Sequence, residues 1–246
     1  MARIDGAGVE LEYTEAGPAD GPAAVLVHGI ASDARQHAAT QAALAAAGRR
    51  AIAYDRRGYG ASGAPEPYNA TTVVEQTHDL EALLSGLDAA PALLVGDGFG
   101  ALVALALAQR VPALVRGVAA ADPPLFALVP EANEALSEQR RLLQEALVDG
   151  GPRAAVAQWL GGRVDDDALG RAQAAATGFF ADYAGLASWE FTRRELRAMT
   201  VPVAVVTGAS SAPPIVLAAD RLAELLPAAW RVTDGDAVAA ALGLGA

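Results

Sequence analysis

The chain contains no cysteine. That excludes disulfides, thiolate catalysis and cysteine-based metal sites, and it suits a reducing compartment. Basic residues are outnumbered: 18 Lys and Arg against 29 Asp and Glu give a net charge of −11, with no basic run longer than two residues. A surface of that sign repels nucleic acid and anionic membranes, so neither is expected as a partner. Long apolar runs are also missing. No stretch reaches the roughly 18 uninterrupted apolar residues of a membrane-spanning helix, and the opening Met-Ala-Arg-Ile-Asp-Gly lacks the apolar core of a signal peptide. The expectation is a soluble cytoplasmic protein, monomer or homodimer, whose partner is a small molecule. What is abundant is apolar residues: 53% of 246, enough for a substantial core in one domain. Much of this is alanine, which favours helix but adds little core volume.

Strand-like and helix-like segments alternate along the chain. Residues 2–4 and 8–15 predict a hairpin, since Val9, Leu11 and Tyr13 alternate with Glu10, Glu12 and Thr14. Residues 23–27 form a continuous apolar run, the mark of a strand buried on both faces, and end in His28-Gly29. A helix over 35–47, a strand over 50–54 and an amphipathic helix over 71–87 follow, the last with Val74, Leu80, Leu83, Leu84 and Leu87 on its apolar side. Next come a strand at 92–95, a helix at 99–110 and a strand at 117–121. From Pro123 to Met199 the alternation stops. That stretch is helical in pattern, broken at Gly150-Gly151-Pro152 and Gly161-Gly162, and carries Trp159, Phe179, Phe180, Tyr183, Trp189 and Phe191. Strand 203–207, helix 215–226 and strand 230–233 resume it, and residues 234–246 make a short alanine-rich end. The pattern predicts an α/β fold: a mostly parallel twisted sheet with helices on both faces, residues 1–122 and 200–246 forming the core and 123–199 an inserted helical cap.

The most informative segment is Gly96-Asp97-Gly98-Phe99-Gly100, a sharp turn between the strand at 92–95 and the next helix. Together with Leu26-Val27-His28-Gly29, Asp55-Arg56-Arg57-Gly58-Tyr59-Gly60-Ala61-Ser62, Ala121-Asp122-Pro123-Pro124 and the run from Val201 to Gly208, it resembles the α/β-hydrolases of the small cap-bearing, esterase- or lactonase-like type. The likeness spans almost the whole chain. In that family the turn is Gly-x-Ser-x-Gly, a strained elbow presenting the nucleophile. Here the nucleophile position is Gly98. The loop after strand 203–207, where the family places an acid, is Ala209-Ser210-Ser211-Ala212-Pro213-Pro214, without a carboxylate. The family histidine follows the last strand, but this chain has Thr233-Asp234-Gly235-Asp236-Ala237 there, and its histidines are His28, His37 and His78. The resemblance therefore predicts that all three triad members are gone.

What the resemblance leaves is an oxyanion hole, whose main-chain donors fall at Ile30 and Phe99. Such donors stabilise charge on a carbonyl oxygen without any acyl-enzyme. The expected activity is a non-hydrolytic lyase or cyclase acting on a hydrophobic carbonyl compound, in natural-product assembly, with no cofactor and no metal. A ligand-binding protein without catalysis and a hydrolase working through Asp97 are the alternatives. Asp97 has three readings: displaced nucleophile, general base, or cap of the following helix, where a carboxylate favours the positive dipole end. His28 is a proton carrier or a structural residue of the oxyanion loop. His37 reads as packing and His78 as solvated. Gly98, Asp33, Arg35, Asp122, Trp159, Phe180, Tyr183 and Trp189 are the candidates for lining the substrate pocket, with an N-cap role competing at Asp33. Asp165-Asp166-Asp167 reads as a helix cap rather than a metal site. Gly96-x-Gly98-x-x-Ala101 also fits a dinucleotide fingerprint, with Asp122 about twenty residues on, but that fingerprint belongs to the first strand–helix turn of its domain.

Overall fold

A computed structural model describes residues 1–234 and 237–244. Its centre is one eight-stranded sheet. The strands are β1 (Ala2–Asp5), β2 (Glu10–Ala16), β3 (Ala23–Val27), β4 (Arg50–Tyr54), β5 (Ala92–Asp97), β6 (Val115–Ala121), β7 (Val203–Thr207) and β8 (Ala229–Thr233). They lie in the order β1-β2-β4-β3-β5-β6-β7-β8. β1–β2 and β2–β4 pair antiparallel, and every later pair is parallel. The predicted hairpin is β1–β2, and the continuous apolar run of residues 23–27 is β3, buried along its whole length.

Helices cover both faces because the strands are apolar on both. The helices of the core are α1 (Ala38–Ala46), α2 (Val73–Gly86) and α3 (Phe99–Arg110). Between β6 and β7 the chain forms α4 (Asn133–Leu160), α5 (Asp166–Ala174), α6 (Ala176–Gly185) and α7 (Arg193–Ala198), and after β7 come α8 (Pro213–Leu225) and α9 (Ala237–Gly243). Alternation along β3 shows the layering. Val25 and Val27 pack with Leu80 and Leu83 of α2, Leu102 and Leu105 of α3 and Leu222 of α8. Ala24 and Leu26 face the other way, toward Leu44 of α1 and Ala240 and Ala241 of α9. The alanine-rich end is therefore a helix that closes a core face.

One local difference from the predicted elements has a clear cause, and the breaks predicted in the insertion fall where expected. The helix expected over 35–47 begins as a tight 3-10 turn, Ala34–His37, because the Asp33 side chain accepts the Arg35 N–H at 3.0 Å and starts a short turn before α1. α4 bends at Gly151, whose backbone is non-helical (φ 75°) immediately before Pro152, and ends at Gly161 in the left-handed conformation. α4, α5 and α6 build a core of their own: Leu143, Val156, Leu160 and Phe179 pack together with Ala31 from the loop after β3. Asp165 caps α5 by accepting the Ala168 N–H at 2.8 Å, the capping role expected of the acidic run. Among the described residues no helix is long and apolar enough to cross a membrane, and no three acidic or histidine side chains are grouped to hold a metal ion.

Candidate active site

The chain runs from β3 to β4 on one side of β3 and later returns to β5 on the other. Loops leaving the carboxyl ends of β3 and β5 therefore diverge and open a crevice, the usual place for a ligand in such sheets. A cavity of about 650 Å³ lies there. Its floor comes from the loop Gly29–Asp33 after β3, from Asp97, Gly98 and Phe99 at the β5 turn, and from Asp122 after β6. Leu136, Gln139, Trp159 and Leu160 of α4 and Arg171 of α5 close it from the insertion.

The β5 turn has the geometry of an elbow, set by its glycines. A Cβ on Gly96 would sit 2.4 Å from the Gly100 carbonyl oxygen, and one on Gly100 would sit 2.1 Å from the Val27 oxygen. Only hydrogen fits at either place, so α3 can cross directly over β3 and β5. Gly98 differs. Its backbone is strained (φ 52°, ψ −115°), yet a Cβ there would meet nothing closer than the Gly29 Cα at 3.9 Å. Glycine therefore relieves conformational strain at the tip and leaves open space where a side chain would fit. The Gly98 N–H donates to the Ala121 oxygen at 2.9 Å, which ties the elbow to the end of β6.

Two main-chain donors border that space. Among the described residues neither the Ile30 N–H nor the Phe99 N–H has a protein acceptor, and both residues line the cavity. Phe99 opens α3, so its N–H has no intrahelical partner and carries the positive end of the helix dipole. Next to Ile30, Ala31 holds a left-handed backbone (φ 57°), an uncommon state for a residue with a Cβ.

The carboxyl at the floor is Asp97. The Gln36 side-chain amide donates to its Oδ2. Burial pushes its pKa up to about 6, with the charge of Asp122 adding to the rise and the Gln36 bond opposing it. Asp97 does not cap α3: the N-cap is Gly98, and no side chain makes the capping hydrogen bond there. The helix-cap expectation is corrected: Gly98 itself holds the N-cap position, and the side-chain partner of the carboxyl is Gln36. Asp122, also in a left-handed conformation (φ 45°), accepts a hydrogen bond from the Ser211 hydroxyl at 2.5 Å. Asp33 caps the turn after it and also pairs with Arg171 at 2.6 Å, joining the loop after β3 to α5 across the cavity.

Of the residues expected at the site, the structure brings together Ile30, Asp33, Asp97, Gly98, Phe99, Asp122 and Trp159. His28, Arg35, Phe180, Tyr183 and Trp189 lie outside the cavity lining. His28 is fully buried, its Nδ1 donating to the Gly29 oxygen at 2.8 Å while its Nε2 accepts the Arg56 N–H at 2.9 Å. Burial, then the Arg56 charge, holds it neutral, well below the ordinary histidine range. With both ring nitrogens engaged it has nothing to offer a ligand. Arg35 is exposed. Phe180 meets Phe179 edge-on and Tyr183 stacks on it inside the insertion, and Trp189 packs on the main core with its indole N–H on Gln109 at 2.8 Å. His78 is exposed and His37 is buried, as expected of a solvated and a packing residue. In the segment after β8, Gly235 and Asp236 lie outside the described residues.

Several site residues gave no sequence signal. Gln36 and Ser211 matter through the carboxyls they bind, 61 and 89 positions away. Arg56, within the Asp-Arg-Arg-Gly motif, carries a larger network. It donates to the His28 oxygen (2.8 Å), the Gly29 oxygen (2.9 Å) and Gln76 (2.6 Å), and pairs with the buried Asp182 of α6 at 2.5 Å. Tyr59 and Gln76 complete the shell around Asp182 at 2.8 and 2.7 Å. The insertion is thereby fixed to the backbone of the loop that presents Ile30.

Comparison with known proteins agrees with this geometry. The family model described as alpha/beta hydrolase fold matches residues 22–172. Epoxide hydrolase A of Mycobacterium tuberculosis is 33% identical over 175 residues, covering 65% of this chain and 53% of that protein. The chain spans about half, or less, of the length of the curated relatives it matches. Among solved structures, an alpha/beta hydrolase from Sphaerobacter thermophilus superposes with a TM-score of 0.71 at 25% identity, covering 94% of this chain and 91% of that one. A thermophilic esterase from Thermogutta terrifontis gives 0.73 at 22% identity, over 98% and 92%. The match over more than half of the sequence, with the elbow and the eight-stranded sheet in place, makes this chain a member of the alpha/beta hydrolase fold family.

Proposed function

We propose that the chain is an enzyme for small, largely apolar carbonyl compounds that works without a nucleophile at the elbow and without the family's Ser-acid-His triad. The observation that carries this reading is one cavity holding a glycine elbow tip, two unpartnered main-chain N–H groups and the Asp97 carboxyl. A pair of fixed N–H donors stabilises an oxygen that gains negative charge, by about 3 kcal/mol per donor. A carboxyl titrating near 6 is ionised at neutral pH yet basic enough to take a proton in a transition state.

The chemistry follows from those parts. With the substrate carbonyl oxygen between the Ile30 and Phe99 N–H groups, the Asp97 carboxylate removes a proton from the adjacent carbon. The C–H electron pair becomes the enolate double bond, and the charge rests on the oxygen. The enolate then expels a leaving group, attacks a second carbonyl or is reprotonated by Asp97. These are the lyase and cyclase outcomes, with natural-product assembly as the proposed setting. Trp159, Leu136, Leu160 and Phe126 suit an apolar body.

A second reading rests on the names of the relatives, which are hydrolases, and on the open space over Gly98. There, water loses a proton to Asp97 and attacks the carbonyl; the leaving oxygen takes that proton as its bond to carbon breaks. The test is incubation with a β-keto ester in D2O and, separately, in 18O-water, followed by NMR and intact-protein mass. Exchange of the α-hydrogen that Asp97→Asn abolishes, with no adduct on the protein, supports the enolate reading. Acid and alcohol formed without label in the protein favour the water reading. Label entering Asp97 overturns both, since it marks a carboxylate nucleophile, and absence of any Asp97-dependent reaction overturns the assignment as an enzyme.

A further inference from the structure

Asp97 and Asp122 are brought side by side by the sheet itself. Asp97 pairs in register with Ala121 in the parallel β5–β6 ladder, and the Gly98 N–H bonds the Ala121 oxygen, so Asp122 emerges at the next strand end. Both carboxyls line the same cavity. The other charged groups around it are occupied. Asp33 and Arg171 neutralise each other, Arg171 also holds Asp167, and Arg163 donates to the Leu160 and Trp159 oxygens at the end of α4. His28 and His37 lie outside the lining, and burial keeps both neutral at physiological pH. Gln36, on the turn after β3, is the neutral donor to Asp97. Among the described residues no cation pairs with Asp97 or with Asp122.

We propose that Asp122 is a positioning residue: clamped by Ser211 at the end of β6, it holds a carboxylate beside Asp97 in the same cavity, and the two carboxyls act as a pair. Two nearby carboxylates without a counter-ion resist ionising together. Asp122 accepts from the Ser211 hydroxyl, whose oxygen in turn accepts the Gly208 N–H at 2.9 Å. Burial of the Asp97 carboxyl is the main cause of its upward shift, and the charge of Asp122 acts in the same direction. The left-handed backbone at Asp122 is a strain that the Asp122 N–H bond to the Val206 oxygen (2.9 Å) holds in place.

This pairing deepens the reading of Asp97 as proton carrier and rests on it, but its test does not require turnover. Infrared difference spectra of protein with 13C-labelled aspartate carboxyls are recorded against pH for wild type, Asp97→Asn, Asp122→Asn and Ser211→Ala. Asp97→Asn identifies the Asp97 band by its loss. Asp122→Asn is expected to lower the Asp97 midpoint by about 0.5–1 pH unit, part of the displacement only, since burial remains. Ser211→Ala is expected to shift the Asp122 carboxylate stretching frequencies, because that carboxylate loses a hydrogen-bond donor. An Asp97 midpoint that stays put in Asp122→Asn overturns the pairing, as does a Ser211→Ala spectrum identical to wild type. A shifted midpoint in a protein whose reactions ignore Asp97→Asn keeps the pair and discards the catalytic reading.

Discussion

Replacing Asp97 by asparagine should stabilise the protein, and only on the alkaline side. In the folded chain the Asp97 carboxyl titrates at about 6 instead of the ordinary 3.8, chiefly because burial penalises its charged form. A folded pKa above the unfolded one means that folding is undisturbed below about pH 4, where both states are protonated. The penalty grows between pH 4 and 6 and is complete above 6. Two pH units correspond to about 3 kcal/mol at 1.36 kcal/mol each. The opening to the cavity trims this to about 1–3 kcal/mol. Asparagine removes the charge but keeps an oxygen for the Gln36 amide. Asp97→Asn should therefore gain about 1–3 kcal/mol at pH 8, or some 3–10 °C in Tm for a chain of this size, and gain nothing at pH 4. Urea unfolding of both proteins at the two pH values measures it. A variant less stable than wild type at pH 8, or a gain of equal size at pH 4, refutes the claim that an uncompensated carboxylate sits at this floor.

The remaining predictions concern the elbow and the network behind it. Gly98→Ser should fold with a loss of about 1–3 kcal/mol, from backbone strain alone, because a Cβ at that position has room. It should show no burst with an aryl ester, since no histidine lines the cavity among the described residues; a burst would contradict this. Gly100→Ala should cost more than Gly98→Ser and give mostly insoluble protein, because its Cβ meets the Val27 carbonyl oxygen; soluble expression at wild-type Tm would refute the close crossing of α3. Asp182→Ala should cost about 3–5 kcal/mol in denaturant unfolding by leaving Arg56 buried without its counter-ion. A loss under about 1 kcal/mol would show that Arg56 does not depend on the insertion.

The layout was legible because each strand carries its own signature. The apolar run of β3 is buried on both faces, and Gly151-Pro152 breaks the helical course of α4, as each segment's composition indicates. The elbow was legible too, since its three glycines mark close approach and a strained tip. What the sequence hid is pairing at a distance. Nothing near Arg56 signals Asp182, 126 positions on, and nothing near Ser211 signals Asp122. The loop after β7, where the family places an acid, reaches with Ser211 to the Asp122 carboxylate that follows β6. Aromatic residues of the insertion misled for a related reason. Trp159 faces the cavity while Phe180 and Tyr183 pack on Phe179, and a helical pattern alone does not distinguish the two faces of a helix that is covered on both. Of the three readings open for Asp97, the cap is the one the structure removes, and its partner Gln36 lies 61 positions earlier, out of reach of any local sequence signal.

The most direct test of the central claim is a high-resolution structure with a 1,3-diketone bound at pH 8, where the compound is readily held as its enolate. The account predicts one enolate oxygen about 2.7–3.1 Å from both the Ile30 and Phe99 nitrogens, with the central carbon beside the Asp97 carboxyl and the space over Gly98 filled by ligand or water. A ligand whose oxygens avoid both N–H groups, or whose central carbon lies away from Asp97, would contradict it.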